Sequence, residues 1–249
     1  MALTYRQSEI LDYLKEKKHA KIGELAQKLF VSDATIRREL AELKRLGLLE
    51  RDHGGAVILE AADEVSIFVR QRLGTDDKEE TAKVAINKIP PFKSIFIDNS
   101  STALILAQKM DFKHKTVVTN GLVLGMELAR REDVTILIPG GNLAYNSNSL
   151  RGSLTSRSIG NLRFNLMICS CTAISADGVF ESSLDQSEIK IAALKNSTNK
   201  ILVADKTKFN NEAIYRTCEL SEFNAIFTNA DDATIAPLKE LRGVNIFNK

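Results

Sequence analysis

The segment from Val31 to Leu40, with the sequence VSDATIRREL, constrains the fold of this chain more than any other. Ser32 is a suitable N-cap residue, because its hydroxyl can accept a hydrogen bond from an otherwise unpaired N–H of the first helical turn. Ile36, Leu40 and Leu43 recur at helical spacing, which places them on one face of a helix. The segment therefore predicts the turn and the second helix of a helix-turn-helix.

The other face of this predicted helix is basic. At about 100° per residue, the positions opposite the apolar stripe are Ala34, Arg38 and Arg45. Thr35 and Arg37 lie on the flanks of that face. A helix with one buried stripe and two adjacent arginines on its exposed side can enter the major groove of DNA. The alternative is an ordinary amphipathic helix whose basic face is only solvated.

The flanking residues predict a complete winged helix-turn-helix domain over residues 1–58. Apolar residues at helical spacing predict two earlier helices, over residues 5–18 and 22–29. Gly47 suits the end of the third helix, because glycine readily adopts the left-handed conformation. Two short extended runs follow within residues 48–59 and predict the hairpin of the wing.

The turn between these two runs contains His53, Gly54 and Gly55. Arg51 and His53 lie near the turn, where a wing can contact the DNA backbone or the minor groove. A solvent-exposed turn histidine is the alternative for His53. Since one small recognition helix gives limited affinity, we expect a homodimer or a homotetramer.

Composition and charge are compatible with DNA binding but do not demand it. A chain of 249 residues that is 44% hydrophobic can form one large or two ordinary domains. Residues 1–57 hold 11 Lys and Arg against 9 Asp and Glu, and the remainder is balanced at 23 of each. The net charge of +2 is therefore a weak basic bias, and specific arginines must supply the attraction to phosphate.

We expect a cytoplasmic protein with reduced thiols. The sequence has no apolar signal segment and no apolar run long enough to span a membrane, and its three cysteines are an odd number. Cys169 and Cys171 have no further cysteine or histidine ligands nearby, so we expect buried strand residues and no metal site. No cofactor is predicted.

Beyond a charged connector at residues 59–75, the chain alternates short apolar runs with helical patterns. Strands are predicted at residues 94–98, 116–120, 134–138, 166–172, 201–205 and 225–228. Helices are predicted at residues 77–88, 102–110, 122–131, 185–196 and 231–241. Continuous Val, Ile and Leu strands between helices indicate a mainly parallel sheet covered on both faces, hence an α/β domain over residues 76–249.

Polar, flexible residues follow four of these strands. They lie at residues 98–102, 119–121, 139–142 with 150–153, and 204–209. Ligands of such sheets bind beyond the carboxyl ends of the strands, and a helix N-terminus with free N–H groups suits a phosphate. The turns therefore predict a shared pocket for an anionic polyol. The alternative is that they are ordinary polar connections.

The N-terminal pattern resembles that of the DeoR family of bacterial transcription regulators. The matching residues are Arg6, Ile10, Leu14, Leu25, Ala26, Val31, Ser32, Thr35, Ile36, Arg37, Arg38, Glu39, Leu40, Leu43, Gly47, Arg51, His53, Gly54, Gly55 and Ala56, with Glu39 where the family more often has aspartate. The resemblance implies binding to a double-stranded DNA operator, usually as the repressor of a carbohydrate-utilisation operon. The residues predicted to contact DNA are Ser32, Thr35, Arg37, Arg38, Arg51, His53, Gly54 and Gly55.

Most of residues 76–230 resemble the sensor domain of the same family, which is similar to the ribose-phosphate isomerase and CoA-transferase fold. The resemblance implies a pocket for a small phosphorylated sugar. Ser101 and Thr102 would hold phosphate or hydroxyl groups, and Lys208 would pair with the anion. The residues predicted to bind this effector are Asp98, Ser100, Ser101, Thr102, Thr119, Asn120, Gly140, Gly141, Arg151, Gly152 and Lys208.

Two motifs depart from the family pattern. Ser100 replaces a glycine in the first strand-turn motif, and Ser170 and Ala173 replace both glycines of a later strand motif. Glycines at such turns let a ligand approach the backbone closely. Their replacement reshapes the pocket, so the effector is unusual or its sensing is weakened.

Three functions follow from these patterns. The first is a regulator in which the effector stabilises an arrangement of paired winged helices that no longer matches the spacing of the DNA half-sites. The second is a sugar-phosphate isomerase or transferase with a DNA-binding appendage, in which Asp98 and Lys208 act as acid and base with Glu181, Asp185 or Glu188 as second carboxylate. The third is a regulator whose effector pocket is degenerate. The first is the prediction, and no enzymatic activity is expected.

Overall fold

The chain folds into two compact units, Met1–Leu73 and Gly74–Lys249. In the computed structural model, residues 4–45, 48–52, 54–58 and 66–248 are described. The predicted architecture is confirmed: a winged helix-turn-helix precedes an α/β unit with a parallel sheet.

The N-terminal unit consists of helices and a small antiparallel sheet with the strand order β1-β3-β2. In chain order its elements are α1 (Tyr5–Lys17), β1 (His19–Lys21), α2 (Ile22–Lys28), α3 (Asp33–Arg45), β2 (Leu49–Asp52), β3 (Gly55–Ile58) and α4 (Ile67–Arg70). The three helices and the hairpin agree with the prediction to within a few residues. Gly47, the predicted end of the third helix, lies outside the described residues.

Strand β1 was not predicted, because three residues are too few to show an alternating pattern. It pairs with β3 in the register His19 to Val57. His19, which had no expected role, lies with its Nε2 atom 2.9 Å from Asp52 Oδ2. The histidine therefore links the first strand to the wing.

The apolar stripe of α3 is fully buried. Ile36, Leu40 and Leu43 have no exposed area and pack in one cluster with residues of α1 and α2. Val69 of α4 belongs to the same cluster and is 1% exposed. Residues 66–73 of the segment predicted as a linker thus form part of the N-terminal unit, while residues 59–65 lie outside the described residues.

The C-terminal unit is built on a parallel sheet. Its strands in chain order are β4 (Ser94–Ile97), β5 (Lys115–Thr119), β6 (Val134–Leu137), β7 (Asn142–Ala144), β8 (Ser149–Arg151), β9 (Phe164–Cys169), β10 (Ala173–Ser175), β11 (Gly178–Glu181), β12 (Ser197–Val203), β13 (Tyr215–Cys218), β14 (Ala225–Phe227) and β15 (Ile246–Phe247). Seven strands form one sheet in the order β15-β14-β12-β9-β4-β5-β6, and every neighbouring pair is parallel. All six predicted strands lie in this sheet.

The helices of this unit cover both faces of the sheet. They are α5 (Thr75–Ile86), α6 (Ser101–Gln108), α7 (Leu122–Leu128), α8 (Ser153–Gly160), α9 (Leu184–Lys195) and α10 (Asp232–Lys239). Two 3-10 helices occupy Lys206–Asn210 and Leu220–Glu222. Two buried apolar clusters pack against this unit's sheet. In β4, Ile95 and Ile97 belong to one cluster and Phe96 belongs to the other, which explains the unbroken apolar run of that strand. None of the described helices is long and apolar enough to cross a membrane.

The additional strands and α8 were not predicted. A hairpin of β7 with β8 and a small sheet of the order β10-β11-β13 lie outside the main sheet. Helix α8 has the sequence SLTSRSIG, and only Thr155 and Ile159 are buried. Two buried positions on a serine-rich segment give too weak a period to detect.

The three cysteines are free thiols in the C-terminal unit. Cys169 ends β9 and Cys171 follows it, and both are buried, as predicted. Burial raises the pKa of both thiols well above the ordinary value, and it raises the pKa of Cys218 to about 12. All three are therefore protonated at neutral pH. Across the described ranges, no group of His, Cys, Asp or Glu side chains is arranged to hold a metal ion.

We expect the free energy of unfolding to fall as the pH rises above about 9, the ordinary thiol pKa. The unfolded chain then releases thiol protons that the native state retains, so stability that is present below this pH is lost as the pH rises towards the native pKa. Each such thiol contributes a slope of up to about 1.4 kcal/mol per pH unit. Urea titrations at several pH values between neutral and alkaline measure how the free energy of unfolding depends on pH. This dependence should be weaker for Cys169→Ala than for the wild-type chain, and an equal dependence would contradict the prediction.

Candidate DNA-binding surface and effector site

The N-terminus of α3 is capped as the sequence predicts. The Thr35 N–H donates to Ser32 Oγ at 3.3 Å, and the two hydroxyl oxygens lie 3.0 Å apart. Asp33 lies in the first turn, and Lys44 and Arg45 lie in the last, which suits the helix dipole. Ser32 is exposed and Thr35 is half-buried, so the capping hydroxyls remain close to solvent.

Arg37 and Arg38 are exposed on the side of α3 opposite its buried stripe. Within the described part of the chain, neither guanidinium forms a hydrogen bond or an ion pair. Arg45, on the same side, instead donates to Glu42 from both Nε and Nη2, at 3.0 and 2.5 Å. The helix thus presents two unpaired guanidinium groups and one that is already paired.

The wing places a further arginine in solvent. Arg51 is exposed on β2, and Gly54 is exposed in the turn with a φ of +95°. Gly55 is buried, and a Cβ atom there would lie 2.3 Å from the Ala20 carbonyl oxygen, so it is required where β3 passes β1. His53 lies outside the described residues. The predicted DNA contacts of these residues stay a prediction.

In the C-terminal unit, the turns after β4 and β5 pack against each other. The Ser100 hydroxyl accepts from the Ala103 N–H at 3.3 Å, which caps α6, and donates to Asp98 Oδ1 at 2.5 Å. A Cβ atom on Gly121 would lie 3.0 Å from Asn99 Cα. The absence of a side chain at Gly121 therefore lets the two turns meet.

A buried ion cluster lies at the end of β4. Lys190 of α9 places its Nζ atom 3.0 Å from Asp98 Oδ2 and 2.7 Å from Glu181 Oε1, and it is 4% exposed. Asp98 Oδ2 also accepts from the Ser170 N–H, and Glu181 Oε2 accepts from the Thr172 hydroxyl. Burial lowers the pKa of Lys190, but the carboxylates of Glu181 and Asp98 outweigh burial and raise it above the ordinary value. The two carboxylates therefore favour the charged ammonium form of Lys190.

Three buried polar atoms near this cluster have no hydrogen-bond partner among the described residues. They are Asn99 Nδ2, Asn120 Oδ1 and Ser170 Oγ. These residues follow the adjacent strands β4, β5 and β9, respectively. An unpaired buried polar atom costs about 1–3 kcal/mol, so three at one edge of the sheet indicate a place for a polar ligand.

The structure brings further predicted residues to the same edge. The Thr102 hydroxyl donates to Asp205 Oδ2 at 3.3 Å, which joins the first turn of α6 to the turn after β12. Thr119 Oγ1 accepts from the Gly121 N–H at 3.0 Å. Ser101 is buried in the first turn of α6. Asp98, Ser100, Ser101, Thr102, Thr119 and Asn120 therefore lie at the ends of adjacent strands, as the pattern predicts.

The predicted glycines pack against α8. The Thr155 hydroxyl lies 2.8 Å from the Gly140 carbonyl oxygen and 3.0 Å from that of Arg151. A Cβ atom on Gly141 would lie 1.9 Å from Thr155 Oγ1, so no larger residue fits there. Gly152 has a φ of +91° at the start of α8. The structure thus gives Gly141 a packing role and Gly152 a conformational one, and the contact of these glycines with an effector stays a prediction.

The charged residues near the carboxyl edge differ in their partners. Lys206 Nζ lies 2.9 Å from Asp77 Oδ1, and Arg151 Nε lies 3.6 Å from Asp185 Oδ2. Lys208 is half-buried, and its ammonium group has no hydrogen bond or ion pair to any residue that the structure describes. Of the two loop lysines, Lys208 is therefore the one with an uncommitted charge.

Lys190 is the principal residue that the sequence reasoning missed. It lies on the buried side of α9 with Gln186, Ile189 and Ala193. A lysine at a buried helical position requires a partner, and this is the signal that could have revealed it. Glu181 was considered only as a possible second carboxylate, and the structure places it in the cluster.

Two open depressions lie away from these residues. One, of about 530 Å³, lies at the amino ends of the strands beside Phe92 and Asn165. The other, of about 560 Å³, lies beside Arg216 and Leu241. Neither contains a predicted site residue, and both lie apart from the unpaired polar atoms.

A winged helix-turn-helix with free arginines, joined to an α/β unit with buried polar groups at its strand ends, defines a DNA-binding regulator with a separate sensor domain. Family models agree with this division. Residues 6–62 match the DeoR-like helix-turn-helix domain, and residues 74–230 match the DeoR C-terminal sensor domain. The chain belongs to the DeoR family of transcription regulators.

Individual relatives extend over nearly the whole chain. It is 29% identical to the glycerol-3-phosphate regulon repressor of Escherichia coli, with 92% of each chain covered. It is 30% identical to the L-fucose operon activator of Haemophilus influenzae, with 91% of this chain and 92% of the relative covered. A solved structure of ribose 5-phosphate isomerase A from Neisseria gonorrhoeae is 19% identical, covers 56% of this chain and 54% of its own, and has a TM-score of 0.37.

We expect Lys190→Met to lower the free energy of unfolding of the C-terminal unit by about 3–5 kcal/mol, because it leaves two buried carboxylates without their cation. Urea unfolding of the full chain measures this. Lys206→Met is the matched control, since it removes a lysine from an exposed ion pair and should leave the midpoint almost unchanged. Equal midpoints for the two variants would show that the buried cluster does not hold the strand ends together.

Proposed function

We propose that this protein represses transcription of carbohydrate-utilisation genes by binding a double-stranded DNA operator, and that a small phosphorylated sugar lowers its operator affinity. The observation that carries the DNA-binding part is the unpaired state of Arg37 and Arg38 on a helix whose other face is buried. The family and the repressor named among its relatives support the regulatory part. One relative is named as an activator, so repression and activation have to be distinguished by experiment.

The recognition helix α3 enters the major groove in this proposal. Arg37 and Arg38 contact guanine edges or phosphates, because their planar donors remain free. Ser32 and Thr35 lie at the N-terminus of the helix, where the N–H groups and hydroxyls suit a phosphate. Arg51 and the turn of His53, Gly54 and Gly55 contact the backbone or the minor groove.

The effector binds at the carboxyl edge of the large sheet in this proposal. Asn99, Asn120 and Ser170 provide unpaired donors and acceptors for hydroxyl groups. The ion cluster holds two carboxylates and one ammonium, so it disfavours a phosphate and suits a neutral polyol end. Lys208 has an uncommitted charge and pairs with the phosphate.

The remaining predicted residues complete this proposed site. Ser100, Ser101 and Thr102 line the first turn of α6, where N–H groups and hydroxyls meet an oxygen-rich ligand. Gly140 and Gly152 let the backbone approach the ligand, Gly141 instead packs against Thr155, and Arg151 adds positive charge. The active form is a homodimer or homotetramer whose paired winged helices match two half-sites, and the effector shifts the population away from that arrangement.

An enzymatic function is the second candidate. Acid–base catalysis needs a second carboxylate near Asp98, and Glu181 lies in the same ion cluster. Glu181 and Asp98 share the Lys190 ammonium, however, and this pairing opposes proton transfer to either carboxylate. Asp185 is near Arg151, and Glu188 is exposed. We therefore propose that the cluster positions the strand ends, and that the protein catalyses no sugar-phosphate isomerisation. Turnover of ribose 5-phosphate that Asp98→Asn abolishes would contradict this.

We expect Arg38→Ala to abolish specific operator retention in a gel-shift assay while the fold and the oligomer remain intact. The loss of one bidentate base contact corresponds to roughly 10- to 100-fold in Kd. Arg45→Ala is the matched control, because its guanidinium is already bound to Glu42 on the same helix. An unchanged shift for Arg38→Ala would defeat the assignment of that residue.

We expect a phosphorylated sugar to stabilise the C-terminal unit in a thermal-shift screen. A ligand at 100 times its Kd adds about 2.7 kcal/mol to the free energy of unfolding. Lys208→Met should abolish the shift, whereas Lys206→Met should preserve it, because the Lys206 charge is engaged by Asp77. If no phosphorylated sugar shifts the wild-type chain, the regulator has a degenerate effector pocket.

A further inference from the structure

Phe30 occupies an unfavourable position between α2 and α3. Its side chain is 94% exposed, although phenylalanine is strongly apolar. Its φ of +53° lies in the left-handed region, which residues with a Cβ atom rarely adopt. The backbone conformation and the exposed ring are both costs to the folded state.

The end of α2 explains the backbone conformation. The Val31 N–H donates to the Ala26 carbonyl at 3.1 Å, and the Phe30 N–H donates to the Gln27 carbonyl at 3.4 Å. These two bonds form a Schellman motif with Phe30 at its left-handed position. Glycine is the usual residue there, because it adopts this conformation without a steric penalty. The local fold alone thus favours glycine where this chain has phenylalanine.

The position adjoins the proposed DNA-binding surface. Phe30 precedes the N-cap Ser32 by two residues, and Thr35 is bonded to that cap in the first turn of α3. The N-terminal residues of a recognition helix are those that reach base edges. The 5-methyl group of thymine is the apolar group that the major groove presents, and phenylalanine is among the side chains that contact it.

We propose that Phe30 reads a thymine in the operator through an apolar contact with its 5-methyl group. This rests on the proposed DNA-binding function. Operator binding buries the exposed ring and offsets the cost of its left-handed backbone. Phe30 is then a specificity-determining residue beside the polar contacts of α3.

The test begins with selection of duplexes from a random library by the full-length protein. Each thymine of the enriched site is then replaced by uracil, which lacks only the methyl group. At one position, the replacement should weaken binding of the wild-type protein about fourfold, the equivalent of one buried methyl group. Phe30→Gly should weaken binding of the thymine site by a similar factor and be insensitive to uracil. Phe30→Leu should retain the sensitivity.

The stability of the variants separates this role from a structural one. Phe30→Gly should raise the Tm of the N-terminal unit while it weakens DNA binding, because glycine relieves the backbone strain. Tyr5→Ala is the control, since Tyr5 is an exposed aromatic residue of the same unit, 81% exposed, and should keep the affinity and the uracil response.

Three outcomes would overturn the proposal. If the wild-type protein enriches no sequence, the proposed DNA-binding function fails and the role of Phe30 falls with it. If a site is enriched but Phe30→Gly binds it with wild-type affinity, DNA binding stands and Phe30 does not contribute. If Phe30→Gly binds more weakly but responds to uracil as the wild type does, Phe30 does not contact a thymine methyl group.

Discussion

The strand ends of the C-terminal unit are organised around the buried ion cluster of Lys190, Asp98 and Glu181. Lys190 lies between Asp98 and Glu181, so it ties helix α9 to the end of β4 and to the small sheet that contains β11. Two carboxylates brought together in a dry interior would repel each other and lose their hydration, and the ammonium group makes that arrangement tolerable. The polar turns of the predicted effector site are built around this cluster.

The exposed arginines of the N-terminal unit differ in whether their charge is paired. Arg45 is neutralised by Glu42, whereas Arg37 and Arg38 have no partner among the described residues. In the sensor unit, Lys206 is engaged by Asp77, whereas Lys208 is not. A long basic side chain whose charge is unpaired remains available to an anionic ligand. The unpaired residues are thus the ones that suit the DNA and effector binding expected of the family.

The sequence predicted the elements that have a long or repeated pattern. The stripe of Ile36, Leu40 and Leu43 identified α3, and its cap at Ser32 was correct. All six predicted strands lie in the main sheet, because strands buried on both faces are continuously apolar. Strands of two or three residues, such as β1 and β15, were missed because no period can be detected over that length. The segment predicted as a linker contains the short helix α4, whose buried residues are Ile67 and Val69. A helix of four residues is too short to show a helical period, so the sequence did not reveal that Val69 joins the N-terminal core.

By itself, the sequence determined the two kinds of unit, the face of α3 that is buried, and the strand ends that carry polar turns, because helical and strand periods are local properties. Only the tertiary structure decided which charges are paired between residues far apart in the chain. Asp98 meets Lys190 and not Lys208, and Gly55 and Gly141 are needed for close packing. These contacts join residues far apart in the chain, and no local pattern of residue types records which of them meet.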